Sequence, residues 1–174
     1  IDIKEDPQGN VWFATQGGGL WRLDKNNAWK QYKHVENDST SLVSDQVNCL
    51  VIGEKGQLYA ATGDGLCEFL PSKGIFRRIS IDAPRQDFTS LVISQGVMWI
   101  STSKGIVKYT PGEPVQRFNK YDGLTCDQFM PNAGLLASDG RIYFGSTRGF
   151  NCFYPYLVKI NQVAPPVAIT SVEL

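Results

Sequence analysis

The chain has 174 residues, 42% hydrophobic and 20% charged, the composition of a globular domain or of one piece of a larger protein. Seventeen basic residues balance seventeen acidic ones, and without a basic run there is no electrostatic footprint for nucleic acid. No apolar run of about 18 residues is present to cross a membrane as a helix. A single histidine leaves little material for histidine catalysis or a zinc site.

The chain opens on Ile1, with no initiator Met and no charged-then-apolar leader, and so reads as a piece of a longer polypeptide. Its seventeen glycines and 11% aromatics favour short strands with tight turns. The first period places strands over residues 1–5, 10–15, 19–24 and 29–33. The second begins with the continuous apolar run 47–52, continues over 57–62 and 65–70, and ends on the alternating stretch 76–81. The third places strands over 90–93, 97–102, 105–110 and 115–119.

One pattern recurs in every period. A turn with Gly leads into an aromatic residue, then into small residues that end in Thr or Ser, and a second Gly turn follows. The aromatics are Trp12, Tyr59, Trp99 and Tyr143, spaced 47, 40 and 44 residues apart. Several short strands in a period of about 40–50 residues are the signature of β-propeller blades. The row of aromatics reads as core between neighbouring blades, with a sugar-stacking row as the alternative. Ala14, Ala61, Ser101 and Gly145 suit a crowded inner layer. The turn glycines supply the positive φ that two-residue hairpins demand.

The fourth period departs from this pattern. After Phe153-Tyr154 comes Pro155, and no outermost strand is evident. Closed propellers complete a last blade with a strand from the other end of the domain, so the missing strand is expected from sequence before Ile1. The expected fold is therefore all-β: a partial propeller of about four four-stranded antiparallel blades, the last incomplete, followed by the start of a second β domain. The blades fall at about 1–40, 46–82, 89–120 and 132–155, with a linker and a new alternating strand within 156–174.

These residues resemble a known family. Gly9-Asn10-Val11-Trp12-Phe13-Ala14-Thr15 with Gly19-Leu20 is similar to the two-component regulator propeller repeat, as is Trp99-Ile100-Ser101-Thr102 with Gly105-Ile106. The lead-ins 41–47 and 122–129 resemble that repeat's approach to its first strand. The third lead-in, 83–88, is shorter and departs from it. The tail from Phe153 to Val172 resembles the junction into an immunoglobulin-like domain. The resemblance implies the periplasmic sensor region of a hybrid two-component histidine kinase. Such a region senses oligosaccharides released from glycans and works as a homodimer. It signals through the immunoglobulin-like domain and a membrane helix to a kinase, none of which this sequence contains. A polysaccharide lyase or glycosidase on a propeller, and a protein-interaction scaffold, are the alternatives.

Candidate site residues follow from propeller geometry. The turns joining second to third strands and the loops joining blades share one face. Gln16, Asp64, Lys104 and Arg148 stand in those turns, and Arg85, Tyr121 and Asp122 in the inter-blade loops. Planar polar groups beside an aromatic suit a sugar, and the cations suit an acidic one. No catalytic residue, metal ligand or cofactor is indicated. His34 reads as an exposed loop residue rather than a general base, and Gly17-Gly18-Gly19 lacks the Lys and helix of a phosphate loop. Cys49, Cys67, Cys126 and Cys152 show no metal spacing. They read as free or buried thiols, with one disulfide between Cys126 and Cys152 as the alternative.

Overall fold

The structure is a computed structural model and describes residues 2–81 and 87–158. Fifteen strands form four antiparallel sheets among these residues. Blade 1 contains β1 (Asp2–Glu5), β2 (Val11–Ala14), β3 (Leu20–Leu23) and β4 (Trp29–Tyr32). Blade 2 contains β5 (Val47–Ile52), β6 (Leu58–Thr62), β7 (Gly65–Leu70) and β8 (Ile75–Ile79). Blade 3 contains β9 (Phe88–Ser94), β10 (Val97–Thr102), β11 (Gly105–Tyr109) and β12 (Gln116–Phe118). Blade 4 contains β13 (Phe129–Leu136), β14 (Ile142–Ser146) and β15 (Gly149–Phe153).

Within every blade the strands lie side by side in chain order. The first strand of each blade lies against the first strand of the next, so β1, β5, β9 and β13 form the inner layer of a propeller. Burial follows from that position. All of β9 from Phe88 to Val92 is buried, because its blade is covered on both faces, whereas the outer strand β4 buries only Tyr32. The expected four-blade, all-β propeller with an incomplete last blade is the fold observed. Blade 4 shows three strands among the described residues. It begins at Phe129, three residues before the expected boundary, because Phe129 pairs with Ser146 and a register shift precedes the Gly134 pairing. The expected second β domain, from residue 159 onward, lies outside the described residues.

The repeated Thr or Ser has a structural task. Thr15, Thr62, Thr102 and Ser146 each donate a hydroxyl hydrogen bond across the following turn, to the carbonyls of Gly19, Gly65, Gly105 and Gly149, at 2.7–3.0 Å. The glycine then opens the third strand. A Cβ on Gly19 would collide with the Tyr32 carbonyl oxygen, and one on Gly105 with that of Phe118. Both glycines also have positive φ, +71° and +112°, so the fourth strand closes down on a residue that must lack a side chain.

Three apolar clusters lie between the blades. Trp12, Leu20, Tyr32 and Leu42 meet Leu50, Leu58, Phe69 and Phe76 between blades 1 and 2. Leu66, Ala61, Leu91, Ile100 and Val107 join blades 2 and 3, with Tyr59 packed against them. Trp99 and Ile106 meet Phe129, Ile142 and Phe144 between blades 3 and 4. The aromatic row is thus core where another blade follows it. Trp12 and Trp99 are fully buried, Tyr59 is half-buried against the cluster of blades 2 and 3, and Tyr143, at the end of the row, is half-buried beside Phe150. All four cysteines are free thiols, so the alternative Cys126–Cys152 disulfide does not form.

Candidate functional site

The inter-blade connections are stitched onto the turns by a motif that occurs twice. The Asp45 carbonyl accepts hydrogen bonds from the Gly17 and Gly19 amides at 3.1 and 2.9 Å, and its carboxylate accepts from the His34 amide at 2.7 Å. Between blades 3 and 4 the Asp127 carbonyl accepts from the Gly105 amide at 2.8 Å, and its carboxylate from the Lys120 amide at 2.7 Å. The next residue reaches the following blade. The Gln46 carbonyl accepts from the Gly63 amide at 2.9 Å and the Gln128 carbonyl from the Thr147 amide at 3.4 Å. Each Asp-Gln pair therefore ties one connection to the second-to-third-strand turns of two blades. The turns and connections are held together on one face.

On that face the connection 33–46 and the turn at Asp64 enclose a cleft of about 300 Å³, lined by His34, Val43, Ser44, Asp45, Asp64 and Arg78. His34 Nδ1 donates to the Leu42 carbonyl at 2.8 Å, which leaves Nε2 as an acceptor in the neutral ring. Arg78 donates to the Asp38 carbonyl at 2.8 Å, so its guanidinium is held at the cleft's edge. Beside the cleft runs a polar row. Gln46 donates to Asn48 at 3.2 Å, and Asn48 donates to the Asp87 carboxylate at 2.8 Å and to the Phe88 carbonyl at 2.9 Å. Burial pushes the Asp87 carboxyl above the usual carboxylate range, the Asn48 hydrogen bond opposes this, and the Asp64 charge adds to it. The cleft offers an imidazole, a hydroxyl, two carboxylates and a guanidinium around one apolar side chain. Such a set can hold a ligand dense in hydroxyl groups. Among the described residues no group of three His, Cys, Asp or Glu side chains is placed to hold a metal ion.

The structure distributes the sequence candidates along this face. Asp64 lies in the cleft. Gln16 is exposed and pairs through its backbone with Gln46. Lys104 and Arg148 are exposed in the equivalent turns of blades 3 and 4, where their amides donate to Thr102 and Ser146. Tyr121 is exposed, with the Lys120 ammonium 5.1 Å from its ring centre. The Asp122 carboxylate is taken up by the Asn119 amide at 2.9 Å, capping a single helical turn (Lys120–Asp122). Arg85 lies outside the described residues. His34, Ser44, Asp45 and Arg78 were not among the sequence candidates. Their signal was the repeated Asp-Gln pair at 45–46 and 127–128, which fixes where the connection meets the turns.

No protein-family model matches the chain, and no curated protein matches it. Solved structures do. The extracellular domain of BT3049 from B. thetaiotaomicron, described as a hybrid two-component system, matches 99% of this chain with a TM-score of 0.74 and 22% identity. The extracellular domain of BT4673 from the same organism, also described as a hybrid two-component system, matches 88% of this chain with a TM-score of 0.64 and 18% identity. This chain covers 25% and 20% of those two chains. Virginiamycin B lyase from Staphylococcus aureus matches 88% of this chain, over 54% of its own, with a TM-score of 0.62 and 15% identity. At these identities the likeness is one of fold, and the fold shared is the β-propeller.

Proposed function

We propose that this chain is part of the extracellular, ligand-sensing region of a hybrid two-component system. In this reading it binds a glycan-derived oligosaccharide at the cleft between blades 1 and 2 and performs no chemistry itself. The observation that carries the reading is the likeness over nearly the full chain to the extracellular domain of a protein described as such a system. The cleft adds chemical support. The Asp45 carboxylate accepts from the His34 amide, the His34 ring donates to the Leu42 carbonyl and Arg78 donates to the Asp38 carbonyl, so a hydroxyl-rich ligand meets donors and acceptors that are already ordered. Signalling follows if the ligand binds one arrangement of a dimeric sensor better than another.

Calorimetric titration with a panel of neutral and acidic glycan oligosaccharides tests this. One class is expected to bind, and Asp64→Ala with Arg78→Ala is expected to weaken it by a factor on the order of a hundredfold or more, two lost charge-assisted hydrogen bonds. Absence of binding across the panel contradicts the reading. Turnover of any glycan replaces it with an enzymatic one.

A further inference from the structure

The hairpins that join the first two strands of each blade gather on the rim opposite the cleft, and they are not alike. In blades 1, 2 and 4 five residues make the turn, over 6–10, 53–57 and 137–141. The amides of Asp6, Gly53 and Ala137 close these turns by donating to the carbonyls of Asn10, Gln57 and Arg141 at 2.8–2.9 Å. In blade 3 only Gln95-Gly96 joins the strands, with φ of +52° and +74°, the geometry of a tight two-residue hairpin.

The narrow turn changes what lies between neighbouring blades. Between blades 1 and 2 the broad turns touch, since a Cβ on Gly56 would lie 2.9 Å from Pro7 Cγ. Between blades 2 and 3 a Cβ on Gly96 would meet nothing within 4 Å, and a pocket of about 260 Å³ opens between it and the turn 53–57. Tyr59, Ile93, Met98 and Pro111 form apolar walls, and Glu54, Lys55 and Gln57 form the lip. The Lys55 amide donates to Gln57 Oε1 at 3.2 Å, which leaves the Gln57 Nε2 amide as a donor. Neither Glu54 nor Lys55 forms an ion pair among the described residues.

An apolar cavity of about 150 Å³ accepts a benzene ring, so these walls have room for one aromatic ring beside that of Tyr59. The same walls would leave the hydroxyl groups of a sugar without partners, which separates this pocket from the cleft on the other face. At the lip a carboxylate and an ammonium stand on adjacent residues, the complement of a zwitterion. We infer that the pocket binds a free aromatic amino acid. The ring lies against Tyr59 and Met98, the ligand carboxylate meets Lys55 and Gln57, and its ammonium meets Glu54. Ring burial supplies most of the affinity, because the lip is exposed to water and its charges are screened.

The test is titration of the full chain with L-phenylalanine, followed by residue-resolved chemical shifts. Saturable shifts are expected at Lys55, Tyr59, Gly96 and Met98, half-complete on the order of 1 mM, with His34, Asp64 and Arg78 unmoved. Phenylpropionate, which lacks the ammonium, and phenylethylamine, which lacks the carboxylate, are each expected to bind about twofold to fivefold more weakly. Lys55→Ala, at an exposed position, should weaken phenylalanine and phenylpropionate by a similar factor and leave phenylethylamine unchanged. Absence of saturable shifts at the pocket overturns the inference. Equal binding of the three probes also overturns it, because the pocket would then read the ring alone.

Discussion

Asp6 shows how one side chain secures a blade. Its carboxylate accepts from the Trp12 indole at 2.7 Å, the Asn10 amide at 2.9 Å and the Gln8 amide at 3.0 Å, and so ties the first hairpin to the core aromatic. Burial pushes this carboxyl up, but the hydrogen bonds from Trp12, Asn10 and Gln8 together outweigh it and hold the group below its ordinary value. The stability it contributes is therefore full above the unfolded carboxyl value, about 3.9, and is lost as pH falls through the lower folded value. Asp6→Ala is expected to cost about 1–3 kcal/mol near neutral pH. The gap between the two proteins in urea unfolding should narrow as the pH is taken below about 4. A gap that stays constant with pH would show that the carboxylate charge is not what matters. The sequence made Trp12 legible as core but not its partner. Trp99 has no such carboxylate, because only the two residues Gln95-Gly96 join β9 to β10, where Asp6–Asn10 join β1 to β2.

At the scale of the strand, position in the blade decides how a residue type behaves. Cys49 and Cys67 lie on β5 and β7 inside the blade stack, while Cys126 lies on a connection and Cys152 is exposed on β15. Burial pushes the Cys49 thiol up, and pushes that of Cys67 up to about 11. At Cys126 burial pushes the thiol up, but the hydrogen bonds with Ser146, Gln128, Thr147 and Arg148 together outweigh it and hold the thiol below its ordinary value. Labelling of the native chain near pH 8 with a thiol reagent is expected to modify Cys126 first and Cys152 next. Cys49 and Cys67 should react only after denaturation. Modification of all four at one rate would mean that blades 2 and 4 open together. Most strand positions were legible in the sequence because the Gly turns and the Thr or Ser before them recur in every blade. The cleft was not. His34, Asp45 and Asp64 are brought together by hydrogen bonds that the Asp45 carboxylate and the Asp45 and Gln46 carbonyls accept from backbone amides, and that long-range stitching leaves only two residues, Asp-Gln, as its trace in the sequence.

At the scale of the whole molecule, the two outermost blade faces repeat the two halves of an interface already present inside it. Blade 1 presents Ile3, Phe13, Trp21 and Trp29 on the face that corresponds to Leu91, Ile100, Val107 and Val115 of blade 3. Ile3 and Trp29 are 60% and 57% exposed. Blade 4 presents Leu135, Tyr143 and Phe150 where blade 2 has Val51, Tyr59 and Leu66. Leu135 and Phe150 are 58% and 62% exposed. Apolar faces of this kind associate in water. Because one face is the complement of the other, a contact between copies is expected to be head-to-tail. Sedimentation of this chain is expected to show mass rising with concentration, and Trp29→Lys or Phe150→Lys should each reduce it. An unchanging monomer would contradict this.

Recognition is proposed on the face where the Asp-Gln pairs gather turns and connections. Residue-resolved chemical-shift mapping during titration with a binding oligosaccharide tests it most directly. The largest shifts are expected on His34, Ser44, Asp45, Asp64 and Arg78. Shifts centred instead on the opposite rim, around Gly53, Glu54 and Gly96, would contradict it.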